Sequence, residues 1–259
     1  MTDYLTGLFG LEGKVAALTG AGGHLVGELA RGLGRAGVKV ALLDRDLASV
    51  ERLSAELRAG GVEAIAIEAD VRERSQLHDA LAVLLEAFGS LHFVVNGAGI
   101  NAPTPFLEIP LEEWNTILAV QLTGTMLSCQ VFGGYLVGER AGAIVNITSA
   151  SAGPPLSKAF TYSVAKAGIK NLTQNLAREW APDGVRVNAL RPGFFPTEWN
   201  RKNFITPERE LAILAHTPLR RFGEPSELVG AVLWLLSDAA SFVTGAEIAV
   251  DGGFSAMTI

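Results

Sequence analysis

Tyr162 and Lys166 are the two residues of this chain whose side chains and spacing most directly suggest a reaction. They lie four positions apart in the stretch AFTYSVAKAGIK, so in a helix they would share one face. A free phenol has a pKa of about 10, too high for a good base at neutral pH, and a nearby ammonium group favours the phenolate. Such a pair also arises by chance, so taken alone it fits either a proton-transfer site or an ordinary helix face.

A glycine-rich stretch near the start of the chain could hold a nucleotide. The sequence TGAGGHLVG spans residues 19–27, after the apolar run KVAALTG and before a segment with helical spacing. Small residues let the backbone approach a pyrophosphate, and the start of a helix offers free N–H groups. The alternative is a plain glycine-rich turn. The residues that would contact a nucleotide here are Gly20, Gly22, Gly23, His24 and Leu25.

Asp44 ends the second apolar run, 24 residues after Gly20. A carboxylate at this position can accept hydrogen bonds from a ribose diol, and it would repel a 2′-phosphate. Its alternative role is to cap the following helix, because Asp44 and Asp46 both precede that helix. We expect Asp46 to cap the helix and Asp44 to bind ribose, although Arg45 beside it weakens the preference for NAD over NADP.

The next two apolar runs also end in residues suited to a nucleotide crevice. Asp70 and Val71 follow the third run, where an adenine ring would lie, and Asn96, Gly97 and Ala98 end the fourth. Turn formation is the alternative role for each of these residues.

An alternating pattern of strands and helices must position all of these residues. Near-continuous apolar runs alternate with segments of helical spacing, which is typical of a parallel sheet covered on both faces. We predict an α/β fold: a single Rossmann domain over residues 1–259, with a doubly wound parallel sheet of about seven strands. A mixed segment at 194–218 is expected to form a substrate lid. The predicted strands span 14–20, 38–44, 62–70, 91–99, 142–149, 185–193 and 246–253, and the predicted helices 28–37, 45–61, 72–89, 111–137, 161–181 and 225–237.

The composition argues against several other classes of protein. Hydrophobic residues make up 49% and charged residues 19%, which suits a large core rather than a disordered chain. A net charge of −6 without a basic block argues against a nucleic-acid partner. Cys129 is the single cysteine and the histidines lie far apart, so we expect no disulfide and no catalytic metal. No secretory signal or membrane span is recognisable, and we expect a cytoplasmic protein.

The motifs follow one another in the order of a known family. A TG-containing turn, Asp44, the NGAG motif at 96–99, Ser149 at a strand end, the YxxxK pair and RPGFFPT at 191–197 occur in sequence. The chain therefore resembles the short-chain dehydrogenase/reductase family, a single-domain Rossmann family, over about residues 10–255.

This resemblance implies an NAD-dependent oxidoreductase, NADP being less favoured because of Asp44. It implies that Ser149 holds the substrate oxygen and that Tyr162 exchanges the alcohol proton while hydride moves to or from the nicotinamide. Lys166, together with the nicotinamide ring, would lower the phenol pKa, and it would also bind the nicotinamide ribose. Contacts with the nicotinamide carboxamide are implied for the segment that contains Pro192, Gly193, Phe195 and Thr197.

Two departures from the family pattern concern the predicted site. His24 and Val26 stand where the family usually has glycine, so His24 could lie beside the pyrophosphate or point to solvent. Gln121 replaces an asparagine that in many members supports a water linking the lysine to solvent. We expect Gln121 to reduce turnover without abolishing it.

The C-terminal part resembles a sugar-acid branch of the family, namely fructuronate (mannonate) oxidoreductase-like and gluconate 5-dehydrogenase-like members. The resemblance implies a polyhydroxy carboxylate as substrate. Arg201 and Lys202 could bind its carboxylate, and Asn200 and Glu198 its hydroxyl groups. These four residues could equally be solvated groups on a mobile lid. Arg191 is another candidate cation, or the partner of a surface acid.

Two other functions remain open from the sequence. One is reduction of a 3-oxoacyl thioester, or reaction of another secondary alcohol. The other is a non-catalytic NAD-binding sensor or scaffold, which the altered turn favours and the intact Ser149, Tyr162 and Lys166 oppose. The family resemblance also implies a homotetramer, with helices 111–137 and 161–181 forming one interface and the C-terminal strand another.

Overall fold

A parallel seven-stranded sheet forms the centre of the protein, whose computed structural model describes residues 2–154, 156–197, 201–202 and 204–257. The strands are β1 Val15–Thr19, β2 Lys39–Asp44, β3 Ala64–Glu68, β4 Phe93–Asn96, β5 Gly142–Ile147, β6 Val185–Pro192 and β7 Glu247–Val250. They lie in the order β3-β2-β1-β4-β5-β6-β7 and pair in parallel throughout. The order reverses between β1 and β4, which confirms the predicted doubly wound Rossmann fold.

Helices cover both faces of this sheet. They are α1 Thr2–Phe9, α2 His24–Arg35, α3 Leu47–Ala59, α4 Arg74–Phe88, α5 Leu111–Glu139, α6 Phe160–Trp180, α7 Pro207–Ala215 and α8 Pro225–Leu236. Successive residues of β1 point to opposite faces: Ala16 and Leu18 pack with α2, α3 and α8, while Val15 and Ala17 pack with α4, α5 and α6. Burial on both faces explains why the strands are apolar throughout rather than alternating.

The structure differs from the predicted elements at two places before and at the glycine turn, and it describes a helix within the predicted lid segment. Helix α2 begins at His24 rather than at residue 28, so the glycine turn runs directly into it. Helix α1, which was not predicted, precedes the sheet. In the predicted lid segment the structure describes helix α7, whereas the predicted substrate residues Glu198 and Asn200 lie outside the described residues.

Helix α5 is the longest apolar helix among the described residues. Two π-helical turns, Ala119–Thr123 and Cys129–Gly133, interrupt its α-helical hydrogen bonding. Its length and composition would suffice to cross a membrane, but 56% of its most apolar window is buried inside the protein. Leu127, Phe132 and Leu136 pack into the core beneath the sheet, so α5 is explained as a core helix.

Candidate active site

The functional crevice lies at the carboxyl ends of the strands, where the strand order reverses between β1 and β4. Two adjoining cavities occupy it. The Tyr162 cavity, of about 640 Å³, contains Ser149, Tyr162 and Lys166, and the Asp44 cavity, of about 490 Å³, contains Gly20 and Asp44. They share walls formed by Leu25, Val26, Gly97, Phe195 and Thr197, among others. The crevice can therefore hold one extended ligand across both cavities.

The glycine turn brings the backbone close to the floor of the Asp44 cavity. Gly20 has a φ of +74°, and a Cβ placed on it would lie 2.6 Å from the backbone nitrogen of Ala98. Gly23 precedes helix α2 without a side-chain cap, so the first N–H groups of the helix are not satisfied by a capping side chain. These N–H groups and the absence of side chains form a cradle suited to a pyrophosphate. His24 and Leu25 line the same cavity, and His24 is exposed.

The two neighbouring acids at the end of β2 have separate roles. The Asp46 carboxylate accepts a hydrogen bond from the backbone N–H of Ser49 at 3.3 Å and so caps α3. The Asp44 carboxylate accepts from the N–H groups of Gly22 and Asp46, each at 3.1 Å, and lines the cavity. Asp44 is therefore held beside the glycine turn with room for a ligand, and Arg45 lines the same cavity.

Four of the predicted residues at the ends of β3 and β4 line the crevice, and Asn96 does not. Asp70, Val71, Gly97 and Ala98 line the Asp44 cavity. The Arg72 guanidinium pairs with Asp70 and holds the pKa of its carboxyl below the usual value. These contacts place a fixed carboxylate at the far end of the crevice from Tyr162.

The Asn96 side chain points into the core instead of the crevice. Its Nδ2 donates to Asn146 Oδ1 at 2.9 Å, and its Oδ1 accepts from the Ser128 hydroxyl at 2.6 Å. Asn146 in turn donates to Thr173. This buried network ties β4 and β5 to helices α5 and α6, so the predicted nucleotide contact at Asn96 does not come from its side chain.

Ser149, Tyr162 and Lys166 converge in the Tyr162 cavity. Ser149 follows β5 and lines the cavity with Tyr162, and its hydroxyl is near enough to act on the pKa of the phenol. Lys166, one turn further along α6, donates from Nζ to the Ile147 carbonyl at 2.7 Å, and Nζ lies 5.4 Å from the centroid of the Tyr162 ring. The hydroxyl of Ser151 also donates to Ser149 Oγ at 3.1 Å. The three predicted residues thus form one cluster whose members are held by the end of β5.

Burial controls the acidity of this cluster. Burial raises the pKa of the Tyr162 phenol, and the nearby Ser149 hydroxyl opposes that rise. Burial lowers the pKa of Lys166 to about 7, so the ammonium is only partly charged at neutral pH. In the protein alone desolvation dominates the phenol pKa, and the expected lowering by Lys166 together with a nicotinamide ring stays a prediction.

Gln121 lies in the first π-helical turn of α5 and lines the same cavity as Lys166. Its side chain is 1% exposed, and its Nε2 donates to the Ile100 carbonyl at 2.7 Å. Its Oε1 is buried and accepts no hydrogen bond from the described residues. Since Gln121 lines the Tyr162 cavity, this oxygen is a ready acceptor for a bound water or ligand.

The segment after β6 forms one wall of the crevice. Pro192, Gly193, Phe195 and Thr197 all line the Tyr162 cavity, and Phe195 and Thr197 also line the Asp44 cavity. This wall spans the boundary between the two cavities and lines the Tyr162 cavity together with Ser149 and Tyr162.

The cations predicted to bind substrate lie elsewhere, and two others line the cavity. Arg201 faces Glu210 at 3.8 Å and packs over the Phe222 ring, and Arg191 pairs with Glu247 at 3.2 Å. Lys158 and Arg209, which sequence reasoning missed, line the Tyr162 cavity with Ser151. The only sequence signal for Arg209 is a cation in the first turn of a helix, where acidic residues are preferred.

The whole chain is similar to known oxidoreductases. A sequence profile described as enoyl-(acyl carrier protein) reductase matches residues 26–255. The galactitol 2-dehydrogenase (L-tagatose-forming) of Cereibacter sphaeroides is 41% identical, with 98% of this chain and 99% of that protein covered. The 5-keto-D-gluconate 5-reductase of Escherichia coli (strain K12) is 33% identical, with 95% and 97% covered.

A solved structure shares the architecture of the whole chain. It is a gluconate 5-dehydrogenase from Burkholderia cenocepacia J2315 in complex with NADP and tartrate, 30% identical to this chain. The two superpose with a TM-score of 0.93, covering 97% of this chain and 98% of that one. The similarity therefore extends over the full length and is not confined to the nucleotide half.

Proposed function

The chain belongs to the short-chain dehydrogenase/reductase family, as its motifs predicted, and we propose that it transfers hydride between a nicotinamide dinucleotide and a secondary alcohol or ketone of a sugar acid or polyol. One observation supports this most strongly: Ser149, Tyr162 and Lys166 share a cavity that adjoins a glycine-built cradle. Relatives that act on galactitol and 5-keto-D-gluconate support the class of substrate.

The residues of the crevice fit a dinucleotide. A Cβ at Gly20 would collide with the Ala98 backbone, and the uncapped start of α2 leaves N–H groups for a pyrophosphate. In this proposal Gly22, Gly23, His24 and Leu25 surround the pyrophosphate, Asp44 binds the adenosine ribose, and Asp70 and Val71 border the adenine. Thr197 and the Phe195 backbone would hold the carboxamide. The bound nicotinamide would accept hydride from the alcohol carbon or return it to the ketone.

The protein groups would handle the proton and the oxygen of the substrate. In oxidation Tyr162 takes the hydroxyl proton of the alcohol, and in reduction it donates a proton to the ketone oxygen. Ser149 holds that same oxygen, and Lys166, fixed by the Ile147 carbonyl, orients the phenol and the cofactor ribose. Because burial raises the phenol pKa, Tyr162 keeps its proton at neutral pH and is then set for reduction. Oxidation would accelerate as the pH rises toward the phenol pKa.

Asp44 supports a preference for NAD over NADP. Its carboxylate lines the Asp44 cavity, where it would repel a 2′-phosphate and its oxygens could accept hydrogen bonds from the ribose diol. Arg45 works against this preference, and the gluconate 5-dehydrogenase relative was solved with NADP. Parallel kinetics with both cofactors decide the point: we expect the higher kcat/KM with NAD.

The proposed activity is tested by titrating NAD and NADP and then screening substrates with the wild type and Tyr162→Phe. We expect oxidation of hexonates or hexitols by the wild type and none by the variant. Faster reduction of a 3-oxoacyl thioester than of any keto sugar acid would instead favour the acyl-reductase function. Nucleotide binding without turnover of any secondary alcohol would favour the sensor.

The family membership also supports proposals on the assembly and the location of the protein. We propose a homotetramer, because Phe106, Leu111, Phe160 and Val164 are exposed near the α5–α6 face and the edge strand β7 is incompletely buried. Light scattering after size-exclusion chromatography should give the mass of four chains, and a monomer would contradict the proposal. We also propose a cytoplasmic location, which cell fractionation can test.

A further inference from the structure

Among the described residues that line the Tyr162 cavity, there are lysines and an arginine but no acidic residues. Lys158, Lys166 and Arg209 line it, and its described lining contains no aspartate or glutamate. The acids of the crevice, including Asp44 and Asp70, line the adjoining Asp44 cavity. Lys166 is assigned to the catalytic cluster. The other two cations have no role in the chemistry described so far.

Arg209 occupies a position where a cation is unfavourable for the helix itself. It is the third residue of α7, whose first turn is capped by Thr206 accepting from the Arg209 N–H. The positive end of a helix dipole favours acids, as at the neighbouring Glu208 and Glu210, and disfavours a guanidinium. Helix stability therefore does not explain why Arg209 stands here.

The Arg209 guanidinium is held in place by neutral groups alone. Its Nη1 donates to the Phe204 carbonyl at 3.1 Å and its Nη2 to the Ser157 carbonyl at 2.8 Å. No carboxylate of the described residues lies within ion-pair distance of it, whereas Arg191 and Arg201 each face a glutamate. Partial burial also lowers the pKa of Arg209. A desolvated cation with free N–H donors and no anionic partner is suited to bind an anion.

Lys158 stands on the same wall. It follows Ser157, whose carbonyl fixes Arg209, and it lines the cavity beside Ala159. Its backbone is left-handed, with a φ of +60°, a conformation that non-glycine residues rarely adopt. An unusual backbone at a cavity wall is consistent with a constrained functional position. The two cations therefore face the cavity from the segment before α6 and from α7.

We propose that Arg209, assisted by Lys158, binds the carboxylate of the substrate and makes the enzyme select a sugar acid over the uncharged polyol of the same carbon chain. This inference rests on the proposed oxidoreductase function. A guanidinium binds a carboxylate through two parallel hydrogen bonds, which fixes the orientation of the substrate as well as its charge. With the carboxylate at Arg209, the reacting hydroxyl group is presented to Ser149 and Tyr162 in the same cavity.

The test compares kcat/KM for hexonates and for the corresponding hexitols in the wild type and in Arg209→Gln. We expect the wild type to prefer the hexonate. In Arg209→Gln, kcat/KM for the hexonate should fall about 30-fold or more, mainly through KM, as expected for loss of a charged hydrogen-bonded pair. The hexitol value should change less than about threefold, because no charged pair is lost with that substrate.

Two variants act as matched controls. Arg209→Lys keeps the charge without the two-pronged geometry and should lose part of the hexonate selectivity. Arg201→Gln removes a nearby arginine that faces Glu210, and it should leave selectivity unchanged. Rising salt should raise KM for the hexonate in the wild type and have less effect in Arg209→Gln.

The outcomes separate this inference from the proposed function. Equal losses on hexonate and hexitol in Arg209→Gln would show a structural role for the arginine and overturn the inference. So would a loss of selectivity in Arg201→Gln alone, or a wild type that prefers the hexitol. In each of these cases the oxidoreductase activity itself would stand. Absence of oxidation of every hexonate and hexitol by the wild type would overturn the proposed function, and this inference with it.

Discussion

Lys166→Met should stabilise the nucleotide-free protein near neutral pH while it damages the active site. Lys166 is 4% exposed, and burial lowers its pKa from 10.5 to about 7. The unfolded chain therefore keeps this proton up to about pH 10, whereas the folded protein releases it near pH 7. A difference of this size corresponds to roughly 5 kcal/mol against the folded, charged form. This cost is fully present below about pH 7, and it disappears as the pH rises to the lysine pKa of the unfolded chain, about 10.

The expected gain is smaller than the full cost of the charge, because the variant also loses the hydrogen bond from Lys166 to the Ile147 carbonyl. Such a bond contributes about 1 kcal/mol. We expect Lys166→Met to be more stable than the wild type by about 3–4 kcal/mol at or below pH 7, with the gap closing toward pH 10. Urea unfolding of both proteins across this pH range measures the difference.

Lys202→Met is the control, since Lys202 is exposed and its replacement should leave the pH dependence of stability unchanged. The reasoning is refuted if Lys166→Met is less stable than the wild type at neutral pH. It is equally refuted if the gap between the two proteins does not change with pH. Either result would mean that Lys166 stays solvated or paired in the folded protein.

Three further substitutions test separate parts of the site. Asp44→Ala should shift the ratio of kcat/KM for NAD over NADP at least about tenfold toward NADP. The control Asp46→Ala should lose about 1 kcal/mol of stability through its helix cap and leave this ratio unchanged. An unchanged ratio in Asp44→Ala would rule out a ribose-binding role for Asp44. Gly20→Ala adds a Cβ against the Ala98 backbone, whereas Gly13, with a similar φ of +75°, has open space around it. Only Gly20→Ala should therefore weaken NAD binding, measured by isothermal titration. Equal affinities for NAD in Gly20→Ala and Gly13→Ala would contradict the proposed role of the glycine turn in nucleotide binding. Gln121→Asn should raise kcat in steady-state assays, and an unchanged kcat would mean that Gln121 does not limit turnover.

The sequence was sufficient to predict the elements whose pattern is local. The apolar runs that become β1, β2 and β5 could be located because burial on both faces leaves few polar residues in them. Tyr162 and Lys166 could be paired because one helical turn separates them. The start of α2 was placed four residues late, because glycine residues at and before the helix start are typical of turns and hide the start of the helix.

The features that sequence reasoning missed depend on contacts between distant segments. Asn96 looked like a turn residue beside a nucleotide, but its partners Asn146 and Ser128 become neighbours only once the strand order is known. Arg209 could not be told from a solvated charge, since its carbonyl partner at Ser157 is 52 residues away. The low pKa of Lys166 likewise results from burial of its side chain in the folded protein, which no local sequence pattern indicates.

The Tyr162 phenol is the group proposed to exchange the substrate proton, and the proposed mechanism requires it. The most direct measurement is the kcat for NAD-linked oxidation by Tyr162→Phe, with NAD affinity measured on the same sample by isothermal titration. We predict unchanged NAD binding within about threefold and a fall in kcat of about a hundredfold to ten-thousandfold, the usual contribution of a general acid–base group. A kcat of Tyr162→Phe equal to that of the wild type, for oxidation of any substrate, would contradict the proposed mechanism.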